Sequence, residues 1–155
     1  MMNKLKAIFL GVSILTIIGC QNQAKENRNP NERLNVVGHY VSEGYKNRDK
    51  GYDWIAVSVS ETTNNKLEIK IRSRADKKKP TCTLDAIAEK VNQNTFQTPI
   101  EGKAILFQFS DTEMSISTNK NEDTELLNFY CSGGGSLKGI YKKIDGMLDQ
   151  TQLDK

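Results

Sequence analysis

Along much of this chain apolar and polar residues alternate one by one, the period of a half-buried β-strand. The stretch "LEIKIRS" shows it most clearly: Leu67, Ile69 and Ile71 fall on one face, and Glu68, Lys70 and Arg72 on the other. "DWIAVSVSE" sets Ile55, Val57 and Val59 against Trp54, Ala56, Ser58 and Ser60, and the polar "ETTNN" predicts a hairpin leading on to Leu67. "AILFQFSD" aligns Ile105, Phe107 and Phe109, "EMSIST" aligns Met114 and Ile116, and "SDTE" between them reads as a tight turn. "NVVGHYVSE" opens the series, and "ELLNFYC" and "SLKGIYKK" close it.

Two stretches need a second criterion. "CTLDAIAEKV" has Leu84, Ile87, Ala88 and Val91 at helical spacing, yet it also alternates as Cys82, Leu84, Ala86 and Ala88. Pro80 and the turn-rich "NQNT" bracket it tightly, which favours a strand, with a short helix as the alternative. The glycines of "CSGGGS" suggest a phosphate cradle, but neither GxxxxGK[ST] nor GxGxxG spacing is present, and a strand pattern follows instead of a helix. Gly133 to Gly135 therefore read as a loop or bulge between the last two strands, where positive φ or close backbone approach is needed. Short strands at about ten-residue intervals and the lack of a long helical pattern predict an all-β domain. A small antiparallel barrel or sandwich of about eight strands, with room for one short helix, fits the pattern.

Upstream of the strands, "MMNKLKAIFLGVSILTIIGC" places Lys4 and Lys6 before an apolar run from Ala7 to Ile18. That order is an export signal, and the run is short for a hydrocarbon core of roughly 30 Å. Its last letters, "IIGC", resemble the lipobox of bacterial lipoproteins. The resemblance covers residues 1 to 20 and implies that Cys20 is lipidated and begins the mature chain. It divides the sequence into a signal peptide (1–19), a lipidated polar tether (20–35), a single β domain (36–144) and a disordered tail (145–155). Gln21, standing where aspartate would signal retention, implies an outer-membrane lipoprotein in a Gram-negative envelope, facing the periplasm or the cell surface.

With Cys20 assigned to lipid, Cys82 and Cys131 remain as an even pair in a compartment that permits disulfides. A bridge between them would close a loop of about fifty residues, worth roughly 4 kcal/mol in chain entropy. The formal charge of +3 loses Lys4 and Lys6 with the signal and falls to +1, so global charge selects no partner. Locally, "KIRSRADKKKP" gathers Lys70, Arg72, Arg74, Lys77, Lys78 and Lys79 against Asp76 alone. This is either a solvated hairpin tip with a lysine-guarded edge or a patch for anionic lipids, anionic glycans or an acidic protein face. Tyr40, Tyr45, Tyr52 and Trp54 cluster near the loop "EGYKNRDKGYDW", which also carries Lys46, Arg48 and Lys50, either a recognition surface or aromatics roofing the core.

Support for catalysis is thin. His39 is the single histidine, GxSxG is absent, and no metal ligand set can be assembled once the cysteines are assigned. Asp49, Asp53, Asp85 and Glu89 are available as carboxylates, but a glycosidase pair is defined by separation in space. The expectation is a non-enzymatic, cofactor-free, monomeric binding protein in the cell envelope that takes no nucleic acid. An exported lipoprotein with an antiparallel barrel and a disulfide near its C-terminal strands also resembles the membrane-bound lysozyme inhibitors. That resemblance implies an inhibitor or immunity-type protein blocking a cell-wall hydrolase. In that family a serine-glycine motif enters the lysozyme cleft; here Ser132 and Gly133 are followed by two further glycines and have no partner motif upstream.

Overall fold

A computed structural model describes residues 34–76 and 78–153. The signal peptide, Cys20, nearly all of the expected tether and Lys77 lie outside the described residues. Nine strands follow the chain: β1 (Gly38–Val41), β2 (Ile55–Glu61), β3 (Leu67–Ser73), β4 (Thr81–Lys90), β5 (Thr95–Ile100), β6 (Lys103–Phe109), β7 (Glu113–Thr118), β8 (Cys131–Ser132) and β9 (Gly139–Ile144). One α-helix, α1 (Glu125–Phe129), precedes β8. Each strand from β1 to β6 pairs antiparallel with the next, β9 joins β7 to β1, and the result is a closed eight-stranded barrel with β8 added beside β4.

Alternation decides what fills the barrel. The row Tyr40, Val57, Ile71 and Leu84 runs across β1 to β4 in direct register, and every member is buried. Phe96, Phe107 and Ile116 form the matching row across β5 to β7. An eight-stranded barrel has an interior just wide enough for such side chains, so the lumen is a packed core. The hairpin between β2 and β3 forms as expected: Asn64 and Asn65 take positive φ (89° and 57°), which asparagine tolerates better than most residues. The ambiguous segment 82–91 belongs to strand β4.

The seam between β4 and β5 is short. Only Glu89 with Gln97 and Lys90 with Phe96 are paired, and the first part of β4 pairs with β8 instead. The segment between β7 and β9 thus serves the part of β4 that β5 leaves uncovered, burying Leu127 and Leu137 completely. One expectation changes here, and one strand is added. "ELLNFYC" is not a strand: residues 125–129 are helical, Leu127 is buried, and Phe129, which alternation would place on the same face, is 81% exposed. "TFQTPI", which the strand series above does not include, is β5; Pro99 lies beyond the end of the β4 pairing, an edge-like position that tolerates a residue without an N–H.

The tail differs from expectation as well. Residues 145–153 pack, with Leu148 (4% exposed) and Leu153 (8%) joining Val41, Trp54 and Ala56 in a second apolar cluster. Val41 and Ala56 alternate with the lumen residues Tyr40 and Val57, so this cluster covers the outer face of β1 and β2. The reason is the apolar outer face that β1 and β2 present, which Leu148 and Leu153 cover together with Tyr45 and Ile144. Leu153 ends the segment in an antiparallel bridge with Arg74.

The two buried tyrosines use their hydroxyls alike. Tyr40 donates to the Val36 carbonyl and Tyr141 to the Leu137 carbonyl, each at 2.8 Å. Burial pushes the Tyr40 phenol up to about 12 and raises that of Tyr141 as well. The unfolded chain releases these protons near 10.0, so the stabilisation is complete below that pH and is lost as pH rises through the folded value. In urea unfolding, stability should therefore fall between pH 10.0 and about 12, and less steeply in Tyr40→Phe than in the parent. Identical slopes for the two proteins would show that the phenol is not buried in solution.

Candidate functional site

Four chain segments meet at the end of the barrel where β1 finishes: 42–54, 74–80, 101–102 and 119–138. Two of them are riveted by the expected disulfide. Cys82 and Cys131 stand directly opposite each other in the β4–β8 pair, their Cα atoms 4.0 Å apart. Beside them the Thr81 and Ser132 hydroxyls share a hydrogen bond of 2.6 Å, and the Thr83 N–H donates to the Tyr130 carbonyl at 2.9 Å.

The glycine run makes this close approach feasible. Gly133 and Gly134 take positive φ (66° and 80°), and a Cβ on Gly133 would lie 2.6 Å from Cβ of Lys79. A Cβ on Gly135 would lie 3.0 Å from Pro80 and 3.3 Å from the Cys82 sulfur. The glycines are therefore explained by packing onto residues 79–82, where the Lys79–Pro80 bond is cis.

The expected basic patch is divided. Lys70 pairs with Glu68 at 3.0 Å, and Arg72 forks onto Asp85, Nη1 donating to Oδ1 at 2.7 Å and Nη2 to Oδ2 at 2.9 Å. Hydrogen bonds from the Arg72 guanidinium hold the Asp85 carboxyl below the usual carboxylate range. Arg74 turns inward, its side chain 10% exposed. Its Nη1 donates to the Gly51 carbonyl at 2.9 Å and lies 2.7 Å from Asp53, while Nε is 2.7 Å from Asp76, an ion-pair contact without hydrogen-bond alignment. Lys78 and Lys79 are exposed on the loop itself. Sequence reasoning missed the carboxylates opposite the cations because cross-strand register, which brings Asp85 to Arg72, is set only when β3 and β4 pair.

The first loop forms 3-10 turns over Glu43–Lys50 and ends at Gly51 with φ 80°. Gly44 is required there, since a Cβ would collide with the Asp53 carbonyl at 1.9 Å. Tyr45 meets Trp54 edge-on at 5.0 Å and carries the Arg48 guanidinium 4.2 Å above its ring. These two aromatics roof the outer cluster, Tyr40 lies in the lumen, and Tyr52 alone of the loop's aromatics stands out, 56% exposed. Between the two loops lies an open cleft of about 210 Å³, lined by Arg48, Asp49, Gly51, Trp54, Arg74 and Asp76.

The remaining candidates are scattered. His39 sits on the outer face of β1, its Nδ1 sharing a 3.0 Å hydrogen bond with Ser58. Glu89 pairs with Lys66 at 2.7 Å near the opposite end of the barrel. Among the described residues no group of histidine, cysteine and carboxylate side chains is gathered that could hold a metal ion. No protein-family model matches the chain, and neither a curated protein nor a solved structure matches it.

Two changes test how this end is held. Cys82→Ser should lower stability by roughly 3–4 kcal/mol, read as a lower melting temperature, and an equal melting temperature would mean that the bridge contributes nothing. Arg74→Met leaves Asp53 and Asp76 without their partner but still half in water, so a loss of about 1–3 kcal/mol is expected. The single tryptophan, Trp54, lines the same cleft, and its fluorescence should shift to the red as the two loops part.

Proposed function

We propose that this protein is an exported lipoprotein, anchored in the cell envelope through Cys20, whose barrel is a non-catalytic binding module. The observation that carries the reading is the N-terminal series: lysines, an apolar run, then "IIGC". Acyl chains on Cys20, at about 0.8 kcal/mol per buried CH2, would make the attachment effectively permanent. The disulfide suits an oxidising compartment. A lumen filled by Tyr40, Phe107, Phe109 and Tyr141 directs binding to the outside of the barrel, and the side of the loop end formed by 42–54, 74–80 and 132–138, where exposed cations collect, is the favoured place. The cations described above face protein carboxylates or solvent, an arrangement suited to recognition more than to chemistry.

Cys20→Ala should move the folded protein from the membrane pellet to the soluble fraction, and metabolic labelling with an alkyne fatty acid should mark the parent but not the variant. A variant that stays in the pellet after salt washing would refute the anchor. In crosslinked envelopes, a stoichiometric complex with a cell-wall hydrolase would replace the general binding role with the inhibitor role.

A further inference from the structure

The loop end as a whole is nearly balanced in charge, but its charges are sorted: loops 42–54 and 74–80 and segment 132–138 together hold eight basic and four acidic residues, whereas 101–102 and 119–131 hold Lys120 against Glu101, Glu122, Asp123 and Glu125. Two of the four carboxylates in the former set, Asp53 and Asp76, are engaged by Arg74. Lys46, Lys50, Lys79 and Lys138 are exposed without an ion-pair partner among the described residues, and Lys78 reaches Asp76 only at 3.9 Å. The turns at the opposite end, 61–66, 90–94, 110–113 and 143–146, hold three lysines against four carboxylates.

These cations share one continuous surface. Arg74 joins the first loop to the second through Gly51 and Asp53, and Lys79, Pro80 and Thr81 lie against Gly133, Gly135 and Ser132. Tyr52 is exposed two residues from Lys50 and next to Asp53 in the first of these loops.

We propose that this loop-end surface binds an acidic polysaccharide. Clustered ammonium groups held by no protein carboxylate raise the local concentration of a polyanion. A tyrosine ring among them offers a rigid apolar face at small entropic cost, which suits stacking on a sugar ring. The described chain starts at Leu34 at the other end of the barrel, so the surface points away from the place where the tether enters. Residues 20 to 34 can span at most roughly 50 Å, enough to hold this face toward a polymer layer beside the membrane. The inference rests on the envelope reading only for where the polymer is met.

The full-length, detergent-solubilised protein should be titrated with labelled polygalacturonate, alongside dextran and inorganic polyphosphate, and the unacylated Cys20→Ala chain, free of detergent, with polygalacturonate and with phosphatidylglycerol vesicles. Binding to polygalacturonate should be saturable and should weaken by about tenfold or more between roughly 0.05 and 0.5 M salt, while dextran does not bind. Lys46→Glu, Lys50→Glu, Lys78→Glu and Lys79→Glu combined should weaken it about tenfold, whereas Lys90→Glu with Lys142→Glu should change it less than about twofold. Tyr52→Ala should weaken polygalacturonate binding about threefold or more and leave polyphosphate binding unchanged. Equal melting temperatures of parent and variants establish that folding is not the cause. No saturable binding, equal loss in the two lysine variants, no effect of Tyr52→Ala, or tighter binding to vesicles than to polymer would each overturn the proposal. Retention of Cys20→Ala in the pellet would overturn the anchor alone and leave this result standing.

Discussion

The thinnest seam of the barrel is held because β4 changes partner along its length. At its far end Glu89 and Lys90 pair with β5, and at its near end Thr81 and Cys82 pair with the two-residue β8. That substitution is held covalently by Cys82 and Cys131 and reinforced by the Thr81–Ser132 hydrogen bond. The two features most easily misjudged in isolation follow from it. Gly133 and Gly135 have no room for a side chain because they lie against Lys79, Pro80 and the disulfide, and α1 places Leu127 in the core at the open seam. A crosslink across a long loop stabilises mainly by limiting the unfolded chain, so the seam is fixed where backbone pairing is thinnest.

Around that seam the outside of the barrel is also used. Val41, Ala56 and Trp54 form an apolar strip on the face opposite the lumen, and the C-terminal leucines cover it. Arg74 connects this outer layer to the loops: it bridges to Leu153 through its backbone while its guanidinium holds Gly51, Asp53 and Asp76. Near burial of a cation is costly unless several acceptors meet it, and here a carbonyl and two carboxylates do. This side of the loop end is therefore built on a fixed base, with exposed lysines at its rim.

The electrostatic layout separates two kinds of basic residue that look alike in sequence. Lys70 and Arg72 lie on the outer face of β3 and pair with Glu68 on the same strand and with Asp85 on β4, the charged ladder of a sheet surface. Lys78 and Lys79 lie beyond the strand, where no neighbouring strand supplies a carboxylate in register. One run of cations thus contains a structural part and a free part. The boundary falls at Arg74, where the strand ends and the side chain turns into the protein.

By itself the sequence determined the inward face of nearly every strand. Leu67, Ile69, Ile71, Ile105, Phe107, Phe109, Met114 and Ile116 all occupy the core that their alternation assigned, because a two-residue period has only one way to bury its apolar half. It also pointed to the partnership of Cys82 and Cys131, through their number and the compartment implied by the N-terminal signal. What only the tertiary structure decided depends on neighbours distant in the chain. The helical state of 125–129, the acceptance of Pro99 in β5 and the packing of 145–153 each follow from a vacancy or an apolar strip created by other strands. The pairing of Arg72 with Asp85 follows from register, and the gathering of loops 42–54, 74–80 and 132–138 into one surface follows from closure of the barrel. Local pattern records which side of a strand is apolar; only closure and register record which charges meet and which are left facing water.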